Sequence, residues 1–130
     1  ELVNCCHKNG IRVTAGKFNN SVVLALALSG FVHQKFSFYG FVPRKSPSRL
    51  DELLQFCRDK QTSIIMDTPY RMQKLINEIH EIQKDNGISS TYFLAMDLNK
   101  PTELLIRGSV SEILKKVNNL DKKEFILIHD

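Results

Sequence analysis

The feature that most constrains the fold is an alternation of short apolar runs with amphipathic helical patterns. Residues 63–66 read as a buried strand, and Thr68 and Pro69 directly after them read as the cap and first turn of a helix. That helix, predicted to run to about Asn86, has an apolar stripe at helical spacing made of Met72, Leu75, Ile76 and Ile79. Such alternation packs helices against a sheet and predicts an α/β domain.

The same pattern extends over the rest of the chain. The other predicted strands are short apolar runs at residues 11–14, 36–40, 91–98, 103–107 and 124–129. Four other helices are predicted. One ends at Gly10, and the others cover residues 20–29, 46–58 and 109–118. We therefore expect a three-layer domain with a mixed, mostly parallel-type sheet of about five strands flanked by helices. The two strands that flank Lys100 are expected to pair antiparallel.

Two of these helices support more specific predictions. The first, capped by Asn19, Asn20 or Ser21, contains VVLALALS, which is apolar on nearly every side and predicts burial on both faces. The second has Ser46 as its predicted N-cap and Pro47 in its first turn. Its predicted apolar stripe is Leu50, Leu53, Leu54 and Cys57.

Composition limits the function classes. A chain of 130 residues with 42% hydrophobic residues can bury the core of one domain. Its net charge of +4 favours an anionic partner without requiring one, so nucleic acid remains open. Three cysteines and no N-terminal leader predict a reducing, cytoplasmic setting. The longest apolar stretch, residues 22–28, is too short to span a bilayer, which needs about 20 residues. We therefore expect no membrane partner.

Polar residues follow two of the predicted strands. Asp67, Tyr70 and Arg71 come directly after one strand, and Asp97 and Lys100 follow another. Ligands of α/β sheets usually bind outside the carboxyl ends of strands, where helix N-termini also point their free N–H groups. Both groups are thus candidates for one site on a common rim. The local alternative is that Asp67 only assists the helix start and pairs with Arg71.

Metal and nucleotide motifs are missing. Cys5, Cys6 and His7 are consecutive, so on a helix they point about 100° apart and cannot converge on one ion. The other histidines are dispersed, and we predict no metal site. The sequence also lacks the glycine-rich dinucleotide and phosphate-loop motifs and the serine-hydrolase elbow.

A basic loop precedes the second helix. PRKSPSR brings Arg44, Lys45 and Arg49 close together in sequence. Such a loop can contact phosphates, and the alternative is a solvated basic loop.

Five segments in fixed order resemble the second half of the tetrapyrrole methylase family. They are ALALSGF, FSFYGFVPRK, DTPYR, AMDLNKPTELLIRGSVSEIL and KKEFILIHD. The nearest pattern is that of the branch that methylates a ribose 2′-hydroxyl in small-subunit ribosomal RNA. That branch reads F-x-F-x-G-F-L-P-R-K, then Y-E-S-P-H-R, A-R-E-L-T-K-x-x-E and R-G-T-x-x-E.

The resemblance implies an architecture. Residues 1–130 would form a single domain, the C-terminal lobe of a two-lobed methyltransferase whose N-terminal lobe is absent from this chain. S-adenosylmethionine would bind in the cleft between the lobes, RNA would be the substrate, and the protein would be a homodimer. The isolated chain is expected to be inactive.

The resemblance also implies site residues, matched position by position. The implied catalytic residues are Asp67, Arg71 and Asp97. The implied cofactor-binding residues are Asn20, Ser21, Asp67, Ala95 and Met96. The implied substrate-binding residues are Tyr70, Lys100, Glu103, Arg44 and Lys45. Arg107 and Gly108 match the family's R-G pair.

Four positions depart from the family pattern. Phe18 and Asn19 replace a glycine and a proline, Tyr70 replaces a histidine, and Met96 replaces an arginine. Two other functions therefore stay open. One is a catalytically degenerate domain used for dimerisation or binding, and the other is an RNA-binding module that uses Arg44, Lys45 and Arg49.

Overall fold

The computed structural model describes Asn9 and residues 20–130. The helix and strand predicted before residue 20 lie outside the described residues, apart from Asn9. The same holds for Cys5, Cys6 and His7 and for the departures at Phe18 and Asn19.

Helices and strands alternate as the sequence predicts. The helices are α1 (Ser21–Ser29), α2 (Ser48–Arg58), α3 (Met72–Asn86) and α4 (Val110–Val117). The strands are β1 (Phe36–Phe41), β2 (Thr62–Met66), β3 (Tyr92–Met96), β4 (Leu104–Gly108) and β5 (Phe125–His129). A 3₁₀ turn, Pro69–Arg71, leads into α3.

The five strands form one mixed sheet in the order β1-β2-β5-β3-β4. β1 and β2 pair parallel, whereas β2 with β5, β5 with β3 and β3 with β4 pair antiparallel. The antiparallel pairing of β3 and β4, which flank Lys100, is confirmed. The sheet is mixed as expected, but the expectation that it is mostly parallel is wrong, because three of its four strand pairs are antiparallel. The last strand inserts between β2 and β3 against the direction of both, and strand order along the chain does not reveal such an insertion.

Helices cover both faces of the sheet, so the predicted three-layer α/β arrangement is confirmed. Neighbouring residues of β2 point to opposite faces. Ile64 packs in a cluster with Ala25 and Leu26 of α1. Ile65 packs in the larger cluster with residues of α2, α3 and α4. The α3 stripe is also confirmed, because Met72, Leu75, Ile76 and Ile79 are all buried.

Helix α1 is buried on one side only, contrary to the prediction. Ala25 and Leu26 face the sheet, whereas Val23 and Leu28 are 56% and 43% exposed. The sheet offers this helix a single face, and among the described residues no second layer buries its outer side.

Helix α2 differs from the prediction at its start and in its stripe. It begins at Ser48 with Pro47 in the N-cap position, so Ser46 is not the cap. Its buried side is Arg49, Leu53, Phe56 and Cys57, while Leu50 is 45% exposed. An arginine takes the inward position at the first turn because carboxylates from two other segments meet it there.

Candidate functional site

A pocket of about 450 Å³ lies at the edge of the sheet where β2 and β3 end. Residues 67–69 after β2 and Ala95 with Leu98 at the end of β3 line it together. The other lining residues are Ser21, Phe41, Met66, Glu124, Phe125 and Ile126. The two predicted strand ends therefore meet around one pocket. Of the five polar residues predicted for this rim, Asp67 is among the lining residues and Tyr70, Arg71, Asp97 and Lys100 are not.

Asp67 is the most heavily bonded group of the pocket wall. Its Oδ1 accepts hydrogen bonds from the Thr68 amide and from Arg71 Nε, both at 2.7 Å. Its Oδ2 accepts from Arg49 Nη1 at 2.8 Å. The carboxylate side chain has no solvent exposure. The local pairing with Arg71 exists as the alternative interpretation expected, yet Asp67 also lines the pocket.

Asp67 is ionised because its partners outweigh its burial. Burial alone would raise the pKa of the Asp67 carboxyl, but hydrogen bonds from Arg71, Arg49 and the Thr68 amide hold that pKa below its ordinary value. Both oxygens are occupied. This geometry suits an anchor for neighbouring groups better than a proton acceptor.

Arg49 has a place in the site that sequence analysis did not predict, because it is buried against Asp67. It is 1% exposed, and the third member of the predicted basic loop is therefore not available to phosphates. Burial would lower the pKa of its guanidinium, but hydrogen bonds to Asp67 and Glu78 raise it. A signal was present, because Arg49, Leu53, Phe56 and Cys57 share one helical face at i, i+4, i+7 and i+8.

The segment after β3 is tightly turned, and it passes from the partly exposed Asp97 to the exposed Asn99 and Lys100. Asp97 and Asn99 have φ of 49° and 63°, in the left-handed region that few residues other than glycine adopt. Asp97 Oδ2 accepts from Thr102 Oγ1 at 2.7 Å, and Lys100 Nζ donates to Glu124 Oε2 at 2.8 Å and to Asp97 Oδ1 at 3.4 Å. The hydrogen bond from Thr102 is the largest cause that lowers the pKa of the Asp97 carboxyl. Glu103 accepts from the Asn99 amide and closes the turn.

The predicted cofactor residues have different surroundings. Ser21 and Ala95 line the pocket. Asn20 caps α1, because its Oδ1 accepts from the amides of Val22 and Val23. Met96 is fully buried among the core residues that pack under α2, α3 and α4, on the other face from Ala95. The structure therefore does not bring Met96 to the pocket.

The predicted substrate residues are spread over the surface. Tyr70 is 76% exposed, with Lys122 Nζ 4.6 Å from its ring centroid. Arg44 and Lys45 are both exposed, in the loop before α2. Neither residue is among those that line the pocket.

The match to the family's R-G-x-x-x-E segment has a structural explanation. Ser109 and Glu112 form a reciprocal capping box at the start of α4. A Cβ on Gly108 would lie 2.6 Å from Glu112 Oε2. Glycine at this position leaves room for the capping carboxylate. Arg107 lies over the Phe31 ring, with its Cζ 4.8 Å from the centroid.

Metal and membrane sites are missing from the described residues. No group of three or more His, Cys, Asp or Glu side chains is placed to hold a metal ion there. None of the described helices combines the length and apolar character needed to cross a membrane.

Comparisons with known proteins agree with the motif resemblance. No family model matches the chain. The chain is 29% identical over 128 residues to ribosomal RNA small subunit methyltransferase I of Leptospira borgpetersenii, covering 98% of this chain and 51% of that protein. It is 33% identical over 110 residues to the protein of that name from Bacillus subtilis, covering 84% and 36%. The chain thus spans about half, or less, of the length of these curated relatives.

Solved structures give the fold. A cobalt-precorrin-4 methyltransferase matches with a TM-score of 0.62 at 12% identity, over 98% of this chain and 55% of that one. Uroporphyrin-III C-methyltransferase of Thermus thermophilus, complexed with S-adenosylhomocysteine, matches with a TM-score of 0.55 at 14% identity, over 98% and 56%. The domain has the tetrapyrrole methylase fold. Its homologues are the small-subunit RNA methyltransferases over their C-terminal part, which confirms the resemblance noted in the motifs.

Proposed function

We propose that this chain forms one half of the S-adenosylmethionine site of a methyltransferase whose acceptor is a ribose 2′-hydroxyl of small-subunit ribosomal RNA. A preceding lobe of a longer protein supplies the other half. The observation that carries the proposal is the pocket shared by residues 67–69 and Ala95 at the carboxyl ends of β2 and β3. The names of the relatives support the reaction class, and a related fold binds S-adenosylhomocysteine.

The pocket fits one part of such a ligand. Its volume of about 450 Å³ falls within the range of roughly 300–1,000 Å³ typical of small-molecule sites. Phe41, Leu98 and Ile126 offer apolar wall for an adenosine, and the small side chain of Ala95 leaves space beside them. Ser21 adds a hydroxyl at the first turn of α1.

Positioning is the contribution that this chain's residues can make. When bound, the cofactor supplies an electrophilic methyl group, and its transfer depends on placing the acceptor oxygen in line. Hydrogen bonds lower the pKa of both the Asp67 and Asp97 carboxyls, which makes each a weak base. Arg71, with 24% of its side chain exposed, offers guanidinium donors to an anionic group of ligand or substrate.

Ligand binding and product analysis test the proposal. Titration calorimetry on the full-length protein that contains this chain should show binding of S-adenosylmethionine and S-adenosylhomocysteine, and this chain alone should bind them more weakly or not at all. Mass spectrometry should find 2′-O-methylated nucleosides in treated small-subunit RNA. Absence of binding by the full-length protein contradicts the proposal.

A paired substitution on α1 localises the ligand. Ser21 and Ala27 are both exposed positions of this helix, and Ser21 lines the pocket whereas Ala27 is not among its lining residues. Ser21→Phe should weaken S-adenosylhomocysteine binding by about tenfold or more, which corresponds to about 1.4 kcal/mol, because the phenyl ring would occupy space in the pocket. Ala27→Phe should leave it unchanged. Equal affinities of the two variants would place the ligand elsewhere.

A second candidate function is a protein-binding domain without catalysis. It is favoured by exposed apolar side chains, which include Val23, Leu28, Val32, Phe36 and Phe38. Homodimerisation through these side chains is one form of it. Sedimentation equilibrium on the full-length protein and on a Phe38→Lys variant tests this form, which requires that the wild type self-associate and the variant dissociate. Self-association together with absent cofactor binding would favour this function over the first.

A further inference from the structure

We infer that Arg49 is a positioning residue that fastens two walls of the proposed cofactor pocket to each other. Its role toward a ligand rests on the proposed function. Its effect on the walls rests on geometry alone, and the two can be tested apart.

Arg49 joins three segments from the first turn of α2. Its Nη1 donates to the carbonyl oxygen of Pro43 at 3.0 Å and to Asp67 Oδ2 at 2.8 Å. Its Nε donates to Glu78 Oε2 on α3 at 2.8 Å. The side chain is 1% exposed, so these acceptors take the place of water at Nε and Nη1, whereas the buried Nη2 has no hydrogen-bond partner among the described residues.

Two of these acceptors belong to pocket walls or lie next to them. Asp67 is itself a wall residue, and its Oδ1 accepts from the Thr68 amide, which fixes the next wall residue. Pro43 lies two residues after Phe41, another wall residue at the end of β1. The Val42 amide also donates to the Met66 carbonyl oxygen, so the two strand exits run side by side next to Arg49.

The same carboxylate connects Arg49 to Arg71. Arg71 bonds Asp67 Oδ1 through Nε at 2.7 Å and Nη2 at 2.6 Å. Since Asp67 is held from the other side by Arg49, the orientation of the more exposed Arg71 depends on the buried arginine. Arginine suits this place better than lysine, because its planar fork offers several donors in fixed directions.

Loss of Arg49 need not unfold the domain. Without it, Asp67 keeps Arg71 and the Thr68 amide, and Glu78 keeps Lys74 at 3.8 Å. Removal of one member of a buried ion pair destabilises a fold because the other charge is left uncompensated. Here both carboxylates keep a cationic partner, so the loss of stability should fall short of unfolding. We therefore expect Arg49→Met to remain folded while the walls of the pocket change position.

The first arm of the test concerns the walls and uses no ligand. Arg49→Met and Arg49→Lys are compared with Arg58→Met, because Arg58 also links α2 to α3, through Asn86. In ¹⁵N NMR spectra of the full-length protein, Arg49→Met should shift the Thr68 amide signal and increase the exchange rate of the Arg71 Nε–H about tenfold. Arg49→Lys should give a smaller change and Arg58→Met none. Unchanged Thr68 and Arg71 signals in Arg49→Met overturn the inference.

The second arm concerns the ligand and uses S-adenosylhomocysteine as the probe. Displaced walls weaken the hydrogen bonds and packing that a ligand can make, and each lost bond to a charged group is worth about ten- to a hundredfold in affinity. Arg49→Met should therefore lower the affinity by about ten- to a hundredfold, Arg49→Lys should recover part of it, and Arg58→Met should match the wild type. If the wild type binds and Arg49→Met binds equally well, the positioning role is wrong. If the wild type does not bind, the proposed function fails, and the NMR arm alone decides whether Arg49 fastens the walls.

Discussion

The segments directly after β2 and β3, called here the first and second exits, each begin with an aspartate, and the two aspartates have different surroundings. Asp67 follows β2 with a fully buried side chain held by Arg49 and Arg71. Asp97 follows β3 with a side chain that is 13% exposed, and its partners include Lys100 and Lys123, both at the surface or partly so. The backbone differs too, since Asp97 is in the left-handed region and Asp67 is not.

The difference shows that position along a strand does not decide what an acid contributes. A buried carboxylate between two guanidinium groups is costly to disturb, because its partners are left desolvated and unpaired. A carboxylate near lysines at the surface is screened by water and contributes little to stability. The first exit is therefore a rigid wall of the pocket, and the second is an exposed turn maintained mainly by local hydrogen bonds.

The largest expected effect comes from the same substitution at both exits. Asp67→Asn should lower the free energy of unfolding by about 3–5 kcal/mol, because buried Arg49 loses one of its two carboxylate partners and Arg71 loses its own. Asp97→Asn should lower it by no more than about 1 kcal/mol. Urea unfolding followed by circular dichroism measures both. Similar losses at the two positions would remove the distinction drawn between them.

The second largest expected difference between the two exits is in how acid affects the free energy of unfolding. The pKa of the folded Asp67 carboxyl is lowered, so its contribution to stability is present above the unfolded pKa of about 3.9 and is lost as the pH falls through the folded value. The free energy of unfolding should therefore fall steeply below about pH 4 in the wild type. Asp67→Asn should flatten this part of the pH profile more than Asp97→Asn does. A profile unchanged by Asp67→Asn would show that other carboxyls, such as Asp59, control acid unfolding.

The backbone at Asp97 gives a smaller effect that has no counterpart at Asp67. Aspartate and asparagine tolerate left-handed φ better than alanine does, and alanine there costs roughly 1–2 kcal/mol more than glycine. Asp97→Ala should therefore unfold at lower urea concentration than Asp97→Asn, and Asp97→Gly should recover the difference. If all three variants unfold together, the turn has relaxed to an ordinary conformation.

The general outline of both exits could be predicted from sequence because local signals encode it. Apolar runs followed by a cap and proline mark the end of β2 and the turn into α3, and the structure has them there. The alternation of side chains along a strand could also have shown that Ala95 and Met96 cannot both face the pocket. The family resemblance suggested both residues, and the strand geometry separates them.

The parts that sequence did not reveal depend on contacts between distant residues. Arg49 looks like a member of a basic surface loop until Asp67 and Glu78, 18 and 29 residues away, are seen to meet it. The insertion of β5 between β2 and β3 is equally non-local, because only the completed sheet shows which strands neighbour each other. Helical spacing could have placed Arg49 on the inward side of α2, but the carboxylates that meet it there and the order of strands follow from tertiary structure.

The smallest expected effect is the loss of the surface ion pairs of Lys100, and its dependence on salt tests the difference between the two exits directly. Lys100→Met removes the surface ion pairs to Glu124 and Asp97, whose Nζ–O distances are 2.8 and 3.4 Å. At low ionic strength the variant should unfold at slightly lower urea concentration than the wild type, and the difference should vanish near 1 M salt, where the screening length is about 3 Å. The destabilisation by Asp67→Asn should persist in the same buffer, because ions do not reach a carboxylate that has no solvent exposure. Loss of the Asp67→Asn effect in salt would mean that water and ions penetrate the first exit, and the rigid wall assigned to it would then be wrong.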